Sequence, residues 1–303
     1  MEHIFSSLIP IFSLIVIGYL FKIISFPSHE FWPMADKLTY YILMPALLVL
    51  TLSKAKFDAN SITFILVSIL AIFITMIILM IFNKFSPTTN DSFTSIVQGG
   101  IRFSTYVFLA LSGSIFGQNG LILSAIILTF AIPILNVFCI TIFALYSQDN
   151  KIDFLYLLKS IFKNPLIISC VIGALINFST LQVPISIENL LKILGSAALP
   201  IGLLSIGYAL ILKEIKSTKK DLSVSCIAKF VVLPIITYFL AKAFQLDELM
   251  ISILILFAIM PTAPSSFILA RQLNGDLSLM TTIITVQTIL AGLFLIIFVK
   301  YFA

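Results

Sequence analysis

Two short stretches of the chain combine polar side chains with residues that interrupt helices. One reads Gly99-Gly100-Ile101-Arg102-Phe103-Ser104-Thr105 and the other Pro261-Thr262-Ala263-Pro264-Ser265-Ser266. An arginine carries a permanent charge and a planar fork of donors that fits a carboxylate. The hydroxyls of Ser104, Thr105, Ser265 and Ser266 add further donors and acceptors. Pro261 and Pro264 lack amide hydrogens and clash with the preceding turn, so a helix running through them opens and frees backbone groups. This set suits the binding of a small anion. Bond-making chemistry has little to work with: His3 and His29 are the only histidines, and His29-Glu30 begins an HExxH pattern that Pro33 ends. Cys139, Cys170 and Cys226 are far apart in sequence and read as small core residues, so no disulfide, metal site or cofactor is expected. The chain is not expected to be an enzyme.

The elements that hold these residues must be membrane helices. Sixty per cent of the residues are hydrophobic and ten per cent charged, against about 25% charged in a soluble globule. A span needs about 20 apolar residues. The apolar runs place ten spans at about 4–24, 33–53, 61–82, 94–116, 121–146, 161–180, 189–212, 222–244, 249–270 and 278–302. The first is long enough to span and lacks a basic leader, so it reads as a span and not as a cleaved signal. With the N-terminus outside, eleven basic residues fall on the inner side and five on the outer, which places both termini outside. The net charge of +5 therefore reports topology, and no basic run is long enough for a nucleic-acid patch.

Ser104 and Pro261 fall near the middle of spans four and nine, at similar depth. An arginine so deep costs about 3 kcal/mol on insertion scales and calls for a partner or a cavity. Two readings stay open for Arg102, a ligand contact or a snorkelling side chain; Ser104 and Thr105 beside it favour the ligand. Lys229, in span eight, has no polar neighbours in sequence and reads as snorkelling. Asn136, Asn177, Gln98 and Gln287 read as interhelical hydrogen-bonding residues. No Asp or Glu lies mid-span, so the usual cation-coupling carboxylate is missing.

The chain also repeats itself. Pro10 to Leu20 (PIFSLIVIGYL) matches Pro165 to Leu175 (PLIISCVIGAL) at an offset of 155 residues, and Pro45 maps onto Pro200 at the same offset. STYVFLA from Ser104 and PSSFILA from Pro264 align at an offset of 160. An odd number of spans per half turns the second half over in the bilayer, the pattern of inverted-repeat carriers. The expected fold is an all-α polytopic membrane protein with ten transmembrane helices in two inverted five-helix repeats, helices four and nine broken and crossing. The expected organisation is a first repeat at 1–147, a cytoplasmic connector at 148–160 and a second repeat at 161–303.

Five pieces, taken as a set, give the chain a family resemblance: LMPALLVLTLS, GGIRFSTYVFLAL, NPLIISCVIGALIN, ALPIGLLSIGYAL and MPTAPSSFILARQLNGD. The chain resembles the auxin efflux carrier (AEC) family, which includes plant auxin exporters and bacterial organic-acid permeases. The resemblance implies a scaffold of helices 1, 2, 6 and 7 and a moving transport domain of helices 3–5 and 8–10. It maps Ser104-Thr105 onto the family's substrate step, and Pro261, Thr262, Pro264, Ser265 and Ser266 onto the second crossover. Serine stands where the family usually has asparagine, and no proline lies near Ser104, so the resemblance does not carry over auxin as substrate. The expected function is secondary transport of a small organic anion by elevator-type alternating access in the bacterial inner membrane. A homodimer through the scaffold helices is compatible with that arrangement. A sodium- or proton-coupled carrier of the same fold, or a non-transporting receptor or subunit, are the alternative readings.

Overall fold

In the first half of the computed structural model the chain forms α1 (Glu2–Ile23), α2 (Phe31–Leu38), a π-helical turn (Thr39–Leu43), α3 (Met44–Ser53), α4 (Ala59–Phe85), α5 (Asn90–Ile101) and α6 (Thr105–Tyr146). The second half forms α7 (Pro165–Phe178), α8 (Ile185–Ala209), α9 (Lys219–Ile227), a second π-helical turn (Ala228–Val232), α10 (Leu233–Ala243), α11 (Glu248–Ala258), α12 (Ser265–Gln272) and α13 (Leu277–Phe302). The structure describes residues 2–55, 59–146, 163–179, 183–211 and 219–302, and no strand occurs among them. The expected connector at 148–160 lies outside the described residues.

Among the described residues, these segments make ten helical stretches when the π turns are joined, α6 is divided at Gly117 (φ 62°), and α5 is counted with the first part of α6 and α11 with α12 across their non-helical breaks. Among the described residues, six helical stretches are long and apolar enough to cross a membrane: Phe31–Ser53, Ser61–Phe85, Asn90–Tyr146, Ile185–Ala209, Lys219–Ala243 and Leu277–Phe302. Ile9–Ile23, Pro165–Phe178 and Glu248–Ala258 are shorter apolar helices. The last of these is short because the chain leaves helical geometry before Pro261, as two prolines three residues apart require.

The helices group into two compact units. The first comprises 1–61, 106–130 and 158–209. In it α1 packs on α8, and α3 packs on α7 and α8. Small residues let these backbones approach. A Cβ at Gly18 would lie 2.0 Å from the Leu204 carbonyl oxygen, and one at Gly173 would lie 3.0 Å from the Val49 carbonyl oxygen. Gly18 and Gly173 are 155 residues apart, and so are Val49 and Leu204. The two contacts are thus copies of each other at the sequence offset. Asn164 caps α7 by accepting from the amides of Leu166 (2.9 Å) and Ile167 (3.4 Å), with Pro165 at the first helical position where its missing donor is harmless. Asn177, read as an interhelical hydrogen-bonding residue, donates to the carbonyls of Ser53 (3.0 Å) and Ala55 (2.7 Å).

The second unit comprises 62–105, 131–157 and 210–303. Here α5 packs on α9 and α13, and α10 on α11. Asp276 ties the starts of two helices together. Its Oδ1 caps α13 at the Leu279 amide (2.9 Å), and its Oδ2 accepts from Ser92 of α5 (2.8 Å). Its carbonyl accepts from Ser95 (3.1 Å). Every residue of α5 from Ser92 to Ile101 is buried, so the end of this helix is fixed by packing as well as by its cap.

Candidate functional site

α5 stops at Ile101 without a proline. Arg102 is extended (φ −77°, ψ 154°), residues 102–104 are non-helical, and α6 opens at Thr105. The carbonyls at the end of α5 find side-chain partners instead of the next turn. Gly99 O accepts from Gln287 Nε2 (3.0 Å) and lies 3.0 Å from Thr262 Oγ1. In the second stretch the chain is non-helical from 259 to 264, and α12 begins at Ser265 with Pro264 as its N-cap. The Pro261 carbonyl, left without a helical donor, accepts from the Ser104 amide at 2.7 Å. The two interruptions therefore touch through their backbones.

Gln287, in the middle of α13 and fully buried, holds both interruptions. Its Oε1 accepts from the Thr262 amide (3.1 Å) and lies 2.7 Å from the Thr262 hydroxyl. Its Nε2 donates to Gly99 O and, at 3.3 Å, to Ser225 Oγ of α9. A Cβ at Gly99 would fall 2.1 Å from Ser225 Oγ, so glycine is needed there for α9 to come this close.

Arg102 is half-buried at the end of α5. Its Nη1 donates to Asn136 Oδ1 (3.3 Å) and its Nη2 to Ser265 Oγ (3.4 Å), with the buried Cys139 thiol as a further partner. Both are longer than the usual N–H···O distance of about 2.7–3.2 Å, so they hold the guanidinium loosely. Among the described residues no carboxylate forms an ion pair with it. The guanidinium is oriented by neutral partners while its charge stays uncompensated. Nearby, Ser266 Oγ and both side-chain polar atoms of Gln98 are buried without a hydrogen-bond partner among the described residues. Gln98 is four residues before Arg102, and its carbonyl accepts from the Arg102 amide at 2.9 Å.

The structure thus brings Arg102, Ser104, Pro261, Thr262 and Ser265 into one connected set. Thr105 is half-buried at the start of α6, Pro264 is the N-cap of α12, and Ser266 is fully buried in its first turn. Pro261, Thr262 and Ser104 are buried and bonded to each other's segments, whereas Ser265 is exposed. Gln287 and Asn136 are hydrogen-bonded as their types suggested, whereas the Gln98 side chain has no partner among the described residues. Ser225 had no signal in the sequence, since its role depends on a glycine in another helix. The snorkelling reading of Lys229 is corrected. Its side chain is 0% exposed, so it lies inside the second unit and does not reach toward an aqueous edge. Among the described residues no group of three or more His, Cys, Asp or Glu side chains could hold a metal ion.

Residues 3–299 match the family described as Membrane transport protein. The chain belongs to this family. It is the auxin efflux carrier (AEC) family that the sequence pieces pointed to, and its members are transporters, not enzymes. The AEC chain is accordingly an integral, multi-pass membrane protein acting on a small molecule. It is 24% identical over 320 aligned positions to a protein of Rhizobium meliloti (strain 1021) named "Putative malonate transporter", covering 98% of this chain and 97% of that one. It is 21% identical over 286 positions to "Uncharacterized transporter MJ1031" of Methanocaldococcus jannaschii, covering 91% of each.

Proposed function

We propose that this AEC chain is a secondary carrier for a small organic anion, with a carboxylate bound at Arg102. The observation that carries the reading is the guanidinium itself. It is a cation without a counter-ion among the described residues, oriented by Asn136 and Ser265 and set where two helices are interrupted. A carboxylate would supply the missing charge and take the remaining donors of the fork. Ser104, Thr105, Thr262, Ser265 and Ser266 are the neighbouring polar groups, and Pro261 and Pro264 keep the backbone open. The N-termini of α6 and α12 begin at the two interruptions and add the positive ends of their dipoles. The name of the Rhizobium relative supports malonate as the first anion to test.

In this reading the fold is a pair of inverted five-helix repeats, with helices four and nine broken and crossing. The hydrogen bond from Ser104 to Pro261 and the paired Gly18 and Gly173 contacts support it. Transport proceeds by elevator-type alternating access. Helices 1, 2, 6 and 7 form the scaffold and 3–5 and 8–10 the moving part, a division supported by the first unit's holding α1–α3, α7 and α8; residues 106–130 also belong to that unit. The protein resides in the bacterial inner membrane with both termini outside, and a homodimer would use the scaffold helices. The test is uptake by reconstituted vesicles of labelled malonate, acetate, an indole acid and, as control, an organic cation. Saturable uptake of one or more of the acids and none of the cation is expected. Binding without entry into sealed vesicles would favour a receptor.

A further inference from the structure

We propose that Lys229 is the proton-binding group of this carrier, so that one proton on its Nζ accompanies each anion bound at Arg102. This rests on the carrier reading above and assigns it a driving ion. Lys229 is the second residue of the π-helical turn Ala228–Val232, its side chain is 0% exposed, and its Nζ has no hydrogen-bond partner among the described residues. π turns inside α-helices are frequent at functional sites. The residues around Lys229 abut the site. Ser225, one turn earlier, is bonded to Gln287 at 3.3 Å, and Ala228 Cβ lies 3.2 Å from where a Cβ at Gly100 would be. Gly100 is two residues before Arg102, and both belong to the second unit.

Among the described residues, the surroundings offer the ammonium no hydrogen-bond or ion-pair partner. The π turn packs on α5, α9 and α10, its Phe230 stacks on Phe294 of α13 at 4.6 Å, and Leu79 of α4 meets Gly100 beside Ala228. α5 carries Asp91, with Arg102 at its end; α9 carries Lys219, Lys220, Asp221 and Cys226. α10 carries Tyr238 and Lys242, α13 Lys300 and Tyr301, and α4 Lys84. None of them bonds to Lys229 Nζ. Lys220 donates to the carbonyls of Ser86 and Pro87, and Lys242 pairs with Glu248. An isolated ammonium is costly to bury. A carboxylate arriving in the same unit lowers that cost, and by reciprocity a proton on Lys229 raises the affinity for the carboxylate by the same factor. The proton is exchanged with the solvent on whichever side the site is open. The carboxylate that proton carriers usually place mid-span is missing from this chain, and Lys229 supplies a titratable group in its stead.

Two measurements test this on the full-length protein. Vesicles clamped at zero membrane potential are given labelled malonate with and without an acidic exterior, and detergent-solubilised protein is mixed with malonate in a weakly buffered pH-dye solution. The wild type should show uptake stimulated about tenfold or more by the proton gradient and should take up about one proton per bound malonate. Lys229→Arg, held charged, should keep malonate exchange and lose both the stimulation and the proton uptake; Lys229→Met should lose both as well. Malonate transport by the wild type that ignores the proton gradient overturns the proposal. So does proton-stimulated transport that survives in Lys229→Arg and Lys229→Met. Wild-type vesicles that move no anion at all reject the carrier reading and this proposal with it.

Discussion

At the scale of single residues, the site is organised by Gln287 more than by any residue at the interruptions themselves. One amide side chain accepts from Thr262 and donates to Gly99 and Ser225. Gln287→Leu is nearly isosteric and leaves the Gly99 carbonyl and the Thr262 amide short of partners in a buried place. A loss of about 2–4 kcal/mol is expected, read as a lowered unfolding midpoint in detergent; a midpoint within a degree of the wild type would reject the role. Arg102→Lys keeps the charge and loses the fork, so KM for the transported anion should rise about tenfold with the maximal rate less affected. Arg102, Ser104 and Thr262 were legible from the sequence because charge and hydroxyl groups inside an apolar span stand out. Ser265 stood out in the same way, and Asn136 and Gln287 read as interhelical hydrogen-bonding residues, but which group each one meets was not legible, because they are 163, 34 and 25 residues away from the groups they bind. Lys229 shows the same limit. A lysine amid apolar residues fits snorkelling equally well until the neighbouring helices are in place.

Among the elements, α5 is the instructive case. Pro261 and Pro264 announce the interruption before α12, whereas α5 ends at residues that could all continue a helix. What stops it is tertiary: Gln287 and Thr262 occupy the Gly99 carbonyl, and Pro261 takes the Ser104 amide. Gly99 makes this possible by admitting α9. Gly99→Ala would put a methyl 2.1 Å from Ser225 Oγ and 2.8 Å from Ile283 Cγ2. Overpacking of this kind costs about 1–3 kcal/mol. Adding Ser225→Ala should recover part of the loss, so that the double variant is more stable than the sum of the two singles. Strict additivity in thermal unfolding would mean that the two residues do not press on each other.

For the whole molecule, the 155-residue offset was readable in the sequence because glycine and proline carry backbone meaning that survives divergence. Gly18 and Gly173 reappear in the structure at matching contacts with Leu204 and Val49. The copies differ in tightness, 2.0 Å against a backbone oxygen for Gly18, and 2.9 Å against Leu52 Cβ for Gly173. Gly18→Ala should therefore destabilise the protein more than Gly173→Ala, which comparison of their unfolding midpoints will decide; the reverse order would reject the packing argument. How 106–130 associates was not readable, since apolar helices with similar faces do not declare their neighbours.

The central claim is that this AEC chain carries a small organic anion past Arg102, and counterflow tests it most directly. Sealed vesicles containing the purified protein are loaded with unlabelled malonate and placed in a trace of labelled malonate. Labelled anion should accumulate transiently above its equilibrium level with the wild type, and Arg102→Ala of equal folded content should lose about 90% or more of that overshoot, a cost of about 1.4 kcal/mol or greater. An Arg102→Ala protein that matches the wild type, or a wild type that shows no overshoot with malonate or any other small organic acid, would contradict the account.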